Sequence, residues 1–273
     1  MNAMSEAILP ILKTAGKAIL DVYENESLFN TEYKDDRSPL TEADKRSNHI
    51  ICDSLAKLFP HIPIISEENK QATYAERSAY KSLFLVDPLD GTKEFIKRNG
   101  EFTINIAYVE DEKVVAGYVY IPVTQETYFA EKFEGAWSMK DEKLINLRSR
   151  SFHLMDKNVK VVASRSHRDL RTDKIISLLN EPQIVSIGSA LKFIKIAVGE
   201  ADFYPRLAPT MEWDTAAAQC IVEEAGGSVI RFDNRLPVTY NKVDLLSPYF
   251  IAFGRLLDPE SLFEMMDKLD QEG

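Results

Sequence analysis

A short acidic segment at residues 87–92, with the sequence Asp-Pro-Leu-Asp-Gly-Thr, combines groups that can bind a divalent cation and a phosphate. Asp87 and Asp90 offer carboxylate oxygens, and Thr92 offers a hydroxyl where a helix could begin. The main-chain N–H groups of such a helix would face a bound anion. Asp-Pro followed by Asp-Gly is also an ordinary turn signal. The segment alone therefore predicts either a turn or a site for metal and phosphate.

Acidic residues at three other places in the chain could complete a site. Glu67 and Glu68 follow an apolar stretch, and strand alternation would direct one carboxylate inward, although adjacent glutamates at a strand end are often simply solvated. Asp214 begins an alanine-rich segment, where it could cap a helix, bind a metal or do both. Asp44 also suits a helix cap, and it gains a chemical role only beside Thr92.

Residue spacing excludes other phosphatase chemistries. Neither cysteine has an arginine six positions later, since Leu58 follows Cys52 and Gly226 follows Cys220 at that spacing. The Asp-x-Asp pattern of aspartyl-phosphate enzymes is not formed by the aspartates of segment 87–92, and a glycine-rich Walker loop does not occur. Four converging carboxylates would instead require cations to offset their mutual repulsion.

Composition narrows the classes of partner. The 273 residues carry a formal net charge of -10, which argues against broad binding to a nucleic acid polymer or to anionic lipid. The two cysteines lack a Cys-x-x-Cys spacing, and no apolar run reaches the roughly 18 residues of a transmembrane segment. We therefore expect a cytoplasmic protein with a small-molecule partner. The sequence does not indicate an oligomeric state.

Apolar periodicity divides the chain into two parts. Helices are predicted at 4–23 and 45–58, separated by a loop at 35–40, and strands at 62–65, 83–86, 102–109, 114–123 and 127–130. From residue 158 onward, strands at 159–163, 184–187 and 201–204 alternate with helices at 169–179, 190–198 and 215–225, and a final helix begins at Asp258-Pro259. The polar stretch 140–158 suggests an α+β domain at 1–150 and an α/β domain at 151–273.

These motifs together resemble the lithium-sensitive, magnesium-dependent phosphatases of the inositol monophosphatase and fructose-1,6-bisphosphatase superfamily. The resemblance extends over residues 44–227 and includes Trp213-Asp214-Thr215-Ala216. It implies an α/β fold with five layers in the order αβαβα. It also implies two or three Mg²⁺ ions, the first held by Glu67, Asp87 and the Leu89 carbonyl, and the second by Asp87, Asp90 and Asp214. Many relatives have Ile in place of Leu89, but the ligand there is the main-chain carbonyl.

The same resemblance assigns catalytic roles to Asp44, Glu67 and Thr92. A water on the first Mg²⁺ would lose a proton with help from Glu67 and from a Thr92 hydroxyl bonded to Asp44, and would attack phosphorus in line. No phosphoenzyme would form.

Residues 162–167, 188–193 and 201–206 resemble the bacterial 3'(2'),5'-bisphosphate nucleotidase branch. This branch removes the 3'-phosphate of adenosine 3',5'-bisphosphate, the by-product of sulfate activation. Lys192 and Arg206 could instead be ordinary exposed side chains. The resemblance implies substrate contacts at Glu67, Leu89, Asp90, Gly91, Thr92, Ser164, His167, Gly188, Ser189, Lys192, Arg206 and Asp214.

Two alternatives remain open. One is an inositol monophosphate or sugar bisphosphate phosphatase with the same metal chemistry. The other is a non-catalytic protein that senses nucleotide or Mg²⁺, although the full set of ligands together with Thr92 argues against it. The resemblance also allows a peripheral position on the cytoplasmic face of the inner membrane.

Overall fold

The computed structural model describes residues 2–25, 31–33, 39–163 and 170–271. Part of the predicted loop at 35–40 and the predicted substrate contacts Ser164 and His167 lie outside these residues. Within them, no helix is both long and apolar enough to cross a membrane.

Two long helices open the chain, as the sequence predicts. Asn2 caps the first by accepting hydrogen bonds from the N–H groups of Met4 and Ser5. Two short strands that lie between these helices in the chain pair antiparallel. These elements are α1 (Ala3–Glu24), β1 (Thr31–Tyr33), β2 (Pro39–Thr41) and α2 (Glu42–Leu58).

A seven-stranded sheet follows, and its strands pair in chain order. The first two strands are parallel, and the remaining neighbours are antiparallel. The elements are β3 (Ile64–Ser66), α3 (Tyr74–Arg77), β4 (Ser82–Asp90), α4 (Thr92–Ile96), β5 (Thr103–Glu110), β6 (Lys113–Ile121), β7 (Glu126–Glu131), β8 (Gly135–Lys140) and β9 (Lys143–Asn146).

The last two strands of this sheet are absent from the sequence prediction. All four residues of β9 are exposed at the sheet edge, so the strand has no apolar face. In β8 the buried positions are Ala136 and Ser138, which are too small or too polar to produce an apolar alternation. The polar stretch 140–158 therefore contains β9 as well as connecting chain.

The remaining chain forms a second, five-stranded mixed sheet with four helices. The strand order is 12-11-13-15-14 in chain numbering, and strands 10 and 16 form a separate parallel pair. The predicted alternation of strands and helices is present, but the seventh helix begins at Glu212 rather than Thr215. The elements are β10 (Ser151–Phe152), β11 (Lys160–Ala163), α5 (Leu170–Ser177), β12 (Gln183–Ser186), α6 (Leu191–Ala197), β13 (Phe203–Arg206), α7 (Glu212–Glu224), β14 (Ser228–Arg231), β15 (Phe250–Phe253), β16 (Arg255–Leu256) and α8 (Pro259–Gln271).

Three clusters of buried apolar side chains order these elements into layers. α1 and α2 cover the face of the first sheet that carries Phe84 and Val86. The opposite face, with Leu83 and Leu85, packs against α6, α7 and the second sheet. α5 and α8 cover the far face of the second sheet. The result is the predicted five-layered αβαβα sandwich. The division at residue 150 remains a prediction, and the middle cluster contains side chains from both sides of it.

α7 occupies the middle layer and approaches the first sheet closely. A Cβ atom on Gly117 of β6 would lie 2.1 Å from the main-chain oxygen of Ala217, so only glycine permits this approach. The close packing brings the N-terminal end of α7 into contact with elements of the first half of the chain.

Candidate active site

The acidic segment 87–92 lies at the end of β4, between β3 and β5. The pairing of β4 with β5 shifts register between Asp87 and Asp90, which interrupts the regular ladder at this point. The Ser47 hydroxyl donates to the Pro88 carbonyl at 2.7 Å, and the Leu89 N–H donates to Oδ1 of Asp87 at 3.0 Å. These bonds hold segment 87–92 in an irregular conformation. The turn that the sequence predicts and the candidate site therefore coincide.

Gly91 makes the transition from this loop to the short helix α4. Its φ is +92°, in the left-handed region that favours glycine. A Cβ atom at this position would also lie 2.9 Å from the main-chain oxygen of Glu101. A side chain here would therefore be strained and would displace the neighbouring loop.

Glu67, Asp87 and Asp214 bring carboxylate oxygens together. One oxygen from each lies within 4.8 Å of the others, although the residues come from the end of β3, from β4 and from α7. The Glu67 N–H donates to the Val86 carbonyl at 3.1 Å, which continues the pairing of β3 with β4. The hydrogen bond to Glu32 is the main reason that the pKa of Lys45 is raised, and the charge of Glu68 adds to the effect on this exposed side chain. Of the two adjacent glutamates, Glu67 is thus the one that belongs to the cluster.

Asp214 caps its helix from the third helical position rather than the N-cap. Its Oδ2 accepts hydrogen bonds from the Thr210 hydroxyl at 2.6 Å and from the Met211 N–H at 2.9 Å. Met211 is the N-cap residue, because α7 begins earlier than the sequence pattern indicates. Both bonds use the same oxygen, so Oδ1 can contribute to the acidic cluster. Capping and ligand roles are compatible here.

Thr92 and Asp44 form a second polar unit beside the cluster. The Thr92 hydroxyl lies 3.3 Å from Oδ1 of Asp44 and 3.3 Å from the Leu89 carbonyl oxygen. Asp44 is buried in the first turn of α2, and its Oδ2 accepts bonds from the N–H and hydroxyl of Thr41 at 2.7 Å and 2.5 Å. The capping box thus holds Asp44 in place and leaves its other oxygen toward Thr92.

The electrostatics of the cluster favour a cation. Burial, reinforced by the charges of Glu67, Asp90 and Asp214, raises the pKa of Asp87 well above its ordinary value. Burial and the charge of Asp214 raise the pKa of Asp90 to about 7, against an opposing effect of Lys192. Such carboxylates would take up protons unless a positive ion neutralises them. An all-oxygen donor set of this kind fits Mg²⁺, and the residues that could hold it are Glu67, Asp87, Leu89, Asp90 and Asp214.

A cavity next to the cluster contains the remaining predicted contacts that the structure describes. Asp90 and Asp214 line it together with Gly188, Ser189, Lys192 and Arg206. Lys192 is 8% exposed and donates from Nζ to the Ser189 carbonyl at 2.7 Å, so it is not a solvated surface lysine. Arg206 is partly buried and donates from Nη2 to the Pro209 carbonyl at 2.7 Å. Both cations line this cavity, each with one hydrogen bond to a main-chain carbonyl.

Several polar residues of the site are absent from the sequence prediction. Glu101 accepts a hydrogen bond from the main-chain N–H of Gly188, a predicted substrate contact, at 2.9 Å. Asn105 donates to Oδ2 of Asp90 at 3.4 Å. Thr210 holds Asp214. Asn105 lies within an apolar strand pattern, which is a usable signal, whereas Glu101 and Thr210 lie in loops without a distinctive pattern.

Comparison with known proteins identifies relatives along nearly the whole chain. The inositol monophosphatase family model matches residues 2–258. The 3'(2'),5'-bisphosphate nucleotidase CysQ of Salmonella typhimurium strain LT2 is 44% identical over 230 residues, which are 83% of this chain and 89% of that protein. CysQ of Escherichia coli strain K12 is 40% identical over 252 residues, or 90% and 98% of the two chains. The crystal structure of CysQ from Bacteroides thetaiotaomicron is 38% identical, with a TM-score of 0.80, and the match covers 92% and 97% of the chains.

The raised pKa values of the cluster predict how metal-free stability depends on pH. The folded state holds protons on Asp90 up to about pH 7, whereas the unfolded carboxyl loses them near pH 3.8. Its contribution to stability is therefore lost as the pH rises through this window. In the absence of metal, Asp90→Asn should melt at a higher temperature than the wild type at pH 7.5, and the gain should shrink toward pH 5.

Differential scanning fluorimetry measures the melting temperature of the metal-free protein in a chelator at each pH. Parallel samples with excess Mg²⁺ measure the stabilisation by the metal. Mg²⁺ should stabilise the wild type more than Asp90→Asn. The control is Asp21→Asn, at an exposed position of α1. It should match the wild type in melting temperature at both pH values and in the stabilisation by Mg²⁺. An Asp90→Asn gain that is equal at both pH values would rule out charge repulsion as its cause.

Proposed function

The chain belongs to the inositol monophosphatase family, and we propose that it is a metal-dependent 3'(2'),5'-bisphosphate nucleotidase. The reaction is hydrolysis of the 3'-phosphate of adenosine 3',5'-bisphosphate to adenosine monophosphate and phosphate. The main support for the proposal is an acidic cluster, centred on buried Asp87, beside a cavity that contains Lys192 and Arg206. Relatives that are 40–44% identical over most of the chain carry the same activity in their names. Recycling of the by-product of sulfate activation follows as its metabolic role.

The acidic cluster supports binding of two Mg²⁺ ions, with a third as a further option. Glu67, Asp87 and the Leu89 carbonyl would hold one ion, and Asp87 would share the other with Asp90 and Asp214. Bound Mg²⁺ would supply positive charge to the phosphate oxygens as negative charge shifts during transfer. Burial and the neighbouring negative charges raise the pKa values of Asp87 and Asp90, and a bound cation would offset both effects.

Thr92 and Asp44 can take part in removing a proton from the attacking water. The Thr92 hydroxyl has one hydrogen and two acceptors at 3.3 Å, the Asp44 carboxylate and the Leu89 carbonyl. A hydrogen directed to Asp44 leaves the hydroxyl lone pairs free to accept a hydrogen bond from water. Glu67 is the second proton acceptor within the cluster. Together they would orient the water and increase its nucleophilicity before in-line attack.

Two cations in the cavity favour a bisphosphate over a monophosphate. Lys192 and Arg206 lie on the side of the cavity wall that is formed by α6 and β13, and Asp90 and Asp214 contribute to the same cavity. A 3'-phosphate at the metals would place the rest of the nucleotide in this cavity, with its second phosphate near the two side chains. Ser164 and His167 remain predicted contacts outside the described residues.

Inositol monophosphate is a weaker candidate because it carries no second phosphate for these cations. A cytoplasmic location, with or without peripheral attachment to the inner membrane, remains a prediction, as does the oligomeric state.

A side-by-side kinetic comparison tests the substrate. The wild type should have a higher kcat/KM for adenosine 3',5'-bisphosphate than for adenosine 3'-monophosphate or inositol 1-phosphate. Arg206→Gln should lower kcat/KM for the bisphosphate about 10-fold or more, because it removes a charged hydrogen-bond donor, and it should affect the monophosphate far less. Arg235→Gln, which breaks an exposed ion pair with Asp267, is the control. A preference for inositol 1-phosphate would overturn the assignment of substrate.

Substitution of Thr92 tests the proton relay. Thr92→Ala removes the hydroxyl and should lower kcat about 100-fold or more, the range of a positioned acid–base group. Thr92→Ser keeps the hydroxyl and should retain most of the rate. Mg²⁺ binding, measured by calorimetry, should stay close to that of the wild type in both variants. Near-normal turnover by Thr92→Ala would remove Thr92 from the mechanism.

A further inference from the structure

A fully buried carboxylate lies two residues before Asp214 and has no place in the mechanism described above. Glu212, the first residue of α7, has no exposed surface. Its carboxylate accepts hydrogen bonds from the main-chain N–H of Asn241 at 2.6 Å and of Lys242 at 3.2 Å, and it forms an ion pair with the Lys242 ammonium. A buried charge is costly unless it is paired and hydrogen-bonded. The partners of the Glu212 carboxylate offset this cost.

A buried arginine binds the same loop, residues 241–247, through other groups. Arg77, at the end of α3, is 3% exposed. Its guanidinium donates to Oδ1 of Asn241 at 2.8 Å and to the carbonyls of Lys242 at 3.1 Å and Val243 at 3.2 Å. Asn241 returns a hydrogen bond from Nδ2 to the Arg77 carbonyl at 2.8 Å. Glu212 thus binds the N–H groups of the loop, and Arg77 binds its carbonyls.

The loop then runs directly past the residues that hold Asp214. The Glu212 N–H donates to the Leu245 carbonyl at 2.9 Å, and the Ser247 N–H donates to the Thr210 carbonyl at 2.7 Å. Thr210 is the residue whose hydroxyl binds Oδ2 of Asp214. Hydrogen bonds, joined by the short chain segment from Leu245 to Ser247, therefore link Arg77 in the first half of the chain to Asp214 in the second.

We propose that Arg77, Glu212, Asn241 and Lys242, here called the α7 clamp, are positioning residues that set the place of Asp214 relative to Glu67 and Asp87. Ser66 of β3 lies opposite Val86 of β4, and Glu67 and Asp87 are the next residues on the two parallel strands. The sheet therefore fixes their spacing. Asp214 comes from a helix in a different layer and has no such ladder. The clamp anchors the end of α7 that carries Asp214 to α3, whose chain leads directly back to Glu67.

The inference rests on the proposed function only in taking the acidic cluster as a Mg²⁺ site. Groups that hold metal ligands in place commonly change metal affinity when they are altered, by about 10- to 100-fold. A buried network with a purely structural role would instead lower thermal stability and leave the Mg²⁺ affinity of the folded protein unchanged. Direct Mg²⁺ binding separates these two roles without reference to turnover.

The experiment is a calorimetric titration of the full chain with Mg²⁺ in the absence of substrate. Arg77→Lys is the central variant, because it keeps the charge and loses the forked hydrogen bonds to the loop. We expect its dissociation constant for Mg²⁺ to rise about 10-fold. Asn241→Ala, which removes the side-chain link to Arg77, should raise the constant in the same direction and provides a second variant if Arg77→Lys does not fold.

Glu224→Gln is the matched control. Glu224 ends the same helix, and its carboxylate likewise accepts two main-chain hydrogen bonds, from Phe133 and Gly135 at 3.0 Å each. This variant should bind Mg²⁺ within about twofold of the wild type. Glu212→Gln should behave like Arg77→Lys, and high Mg²⁺ should restore its phosphatase rate.

Folded Arg77→Lys or Asn241→Ala that binds Mg²⁺ as tightly as the wild type would overturn the inference, as would a wild type that binds no Mg²⁺. A wild type that binds Mg²⁺ but releases no phosphate from adenosine 3',5'-bisphosphate would refute the proposed function alone. The positioning role would then still be supported by weaker Mg²⁺ binding in Arg77→Lys.

Discussion

The architecture of this protein brings several carboxylates together around one buried aspartate, Asp87, against their mutual repulsion. Glu67, Asp87 and Asp214 place oxygens within 4.8 Å of one another, and Asp87 is only 1% exposed. Water cannot screen these charges effectively at such a place, so protons or cations must neutralise them. The fold therefore has to hold the ligands together against their own repulsion. A site of this kind has a strong preference for divalent cations and, through them, for phosphate.

The five layers explain how the chain can meet this constraint. Strand pairing fixes Glu67 beside Asp87, and the register shift in β4 shapes the loop that carries Asp90. The third carboxylate, Asp214, comes from α7, which lies between the two sheets. This helix approaches β6 closely because Gly117 has no side chain. The Thr41 capping box fixes Asp44, and Thr210 fixes one oxygen of Asp214. Strand pairing, a capping box or a hydrogen bond from a neighbouring residue thus holds each of these acidic side chains in place.

The sequence predicts the parts of this arrangement that depend on neighbouring residues. The opening helices, the strands of the first sheet up to β7 and the acidic segment 87–92 follow from local periodicity and turn chemistry, and the family resemblance supplies the layer order. Edge strand β9 could not be predicted because every one of its residues is exposed. The pairing of Arg77 with Asn241 connects residues 164 positions apart, so no local pattern can indicate it. The Glu101 contact with Gly188 is hidden for the same reason, with 87 positions between the partners.

In the proposed site, one shared carboxylate, Asp87, organises two cations whose other ligands come from separate elements. The most direct measurement is a crystal structure with Mn²⁺ in place of Mg²⁺ and with phosphate and adenosine monophosphate present, using anomalous scattering to locate the ions. We expect two anomalous peaks about 3.5–4 Å apart, both in contact with Asp87, with Glu67 on one ion and Asp214 on the other. Ions bound elsewhere, or two ions that do not share Asp87, would refute this arrangement.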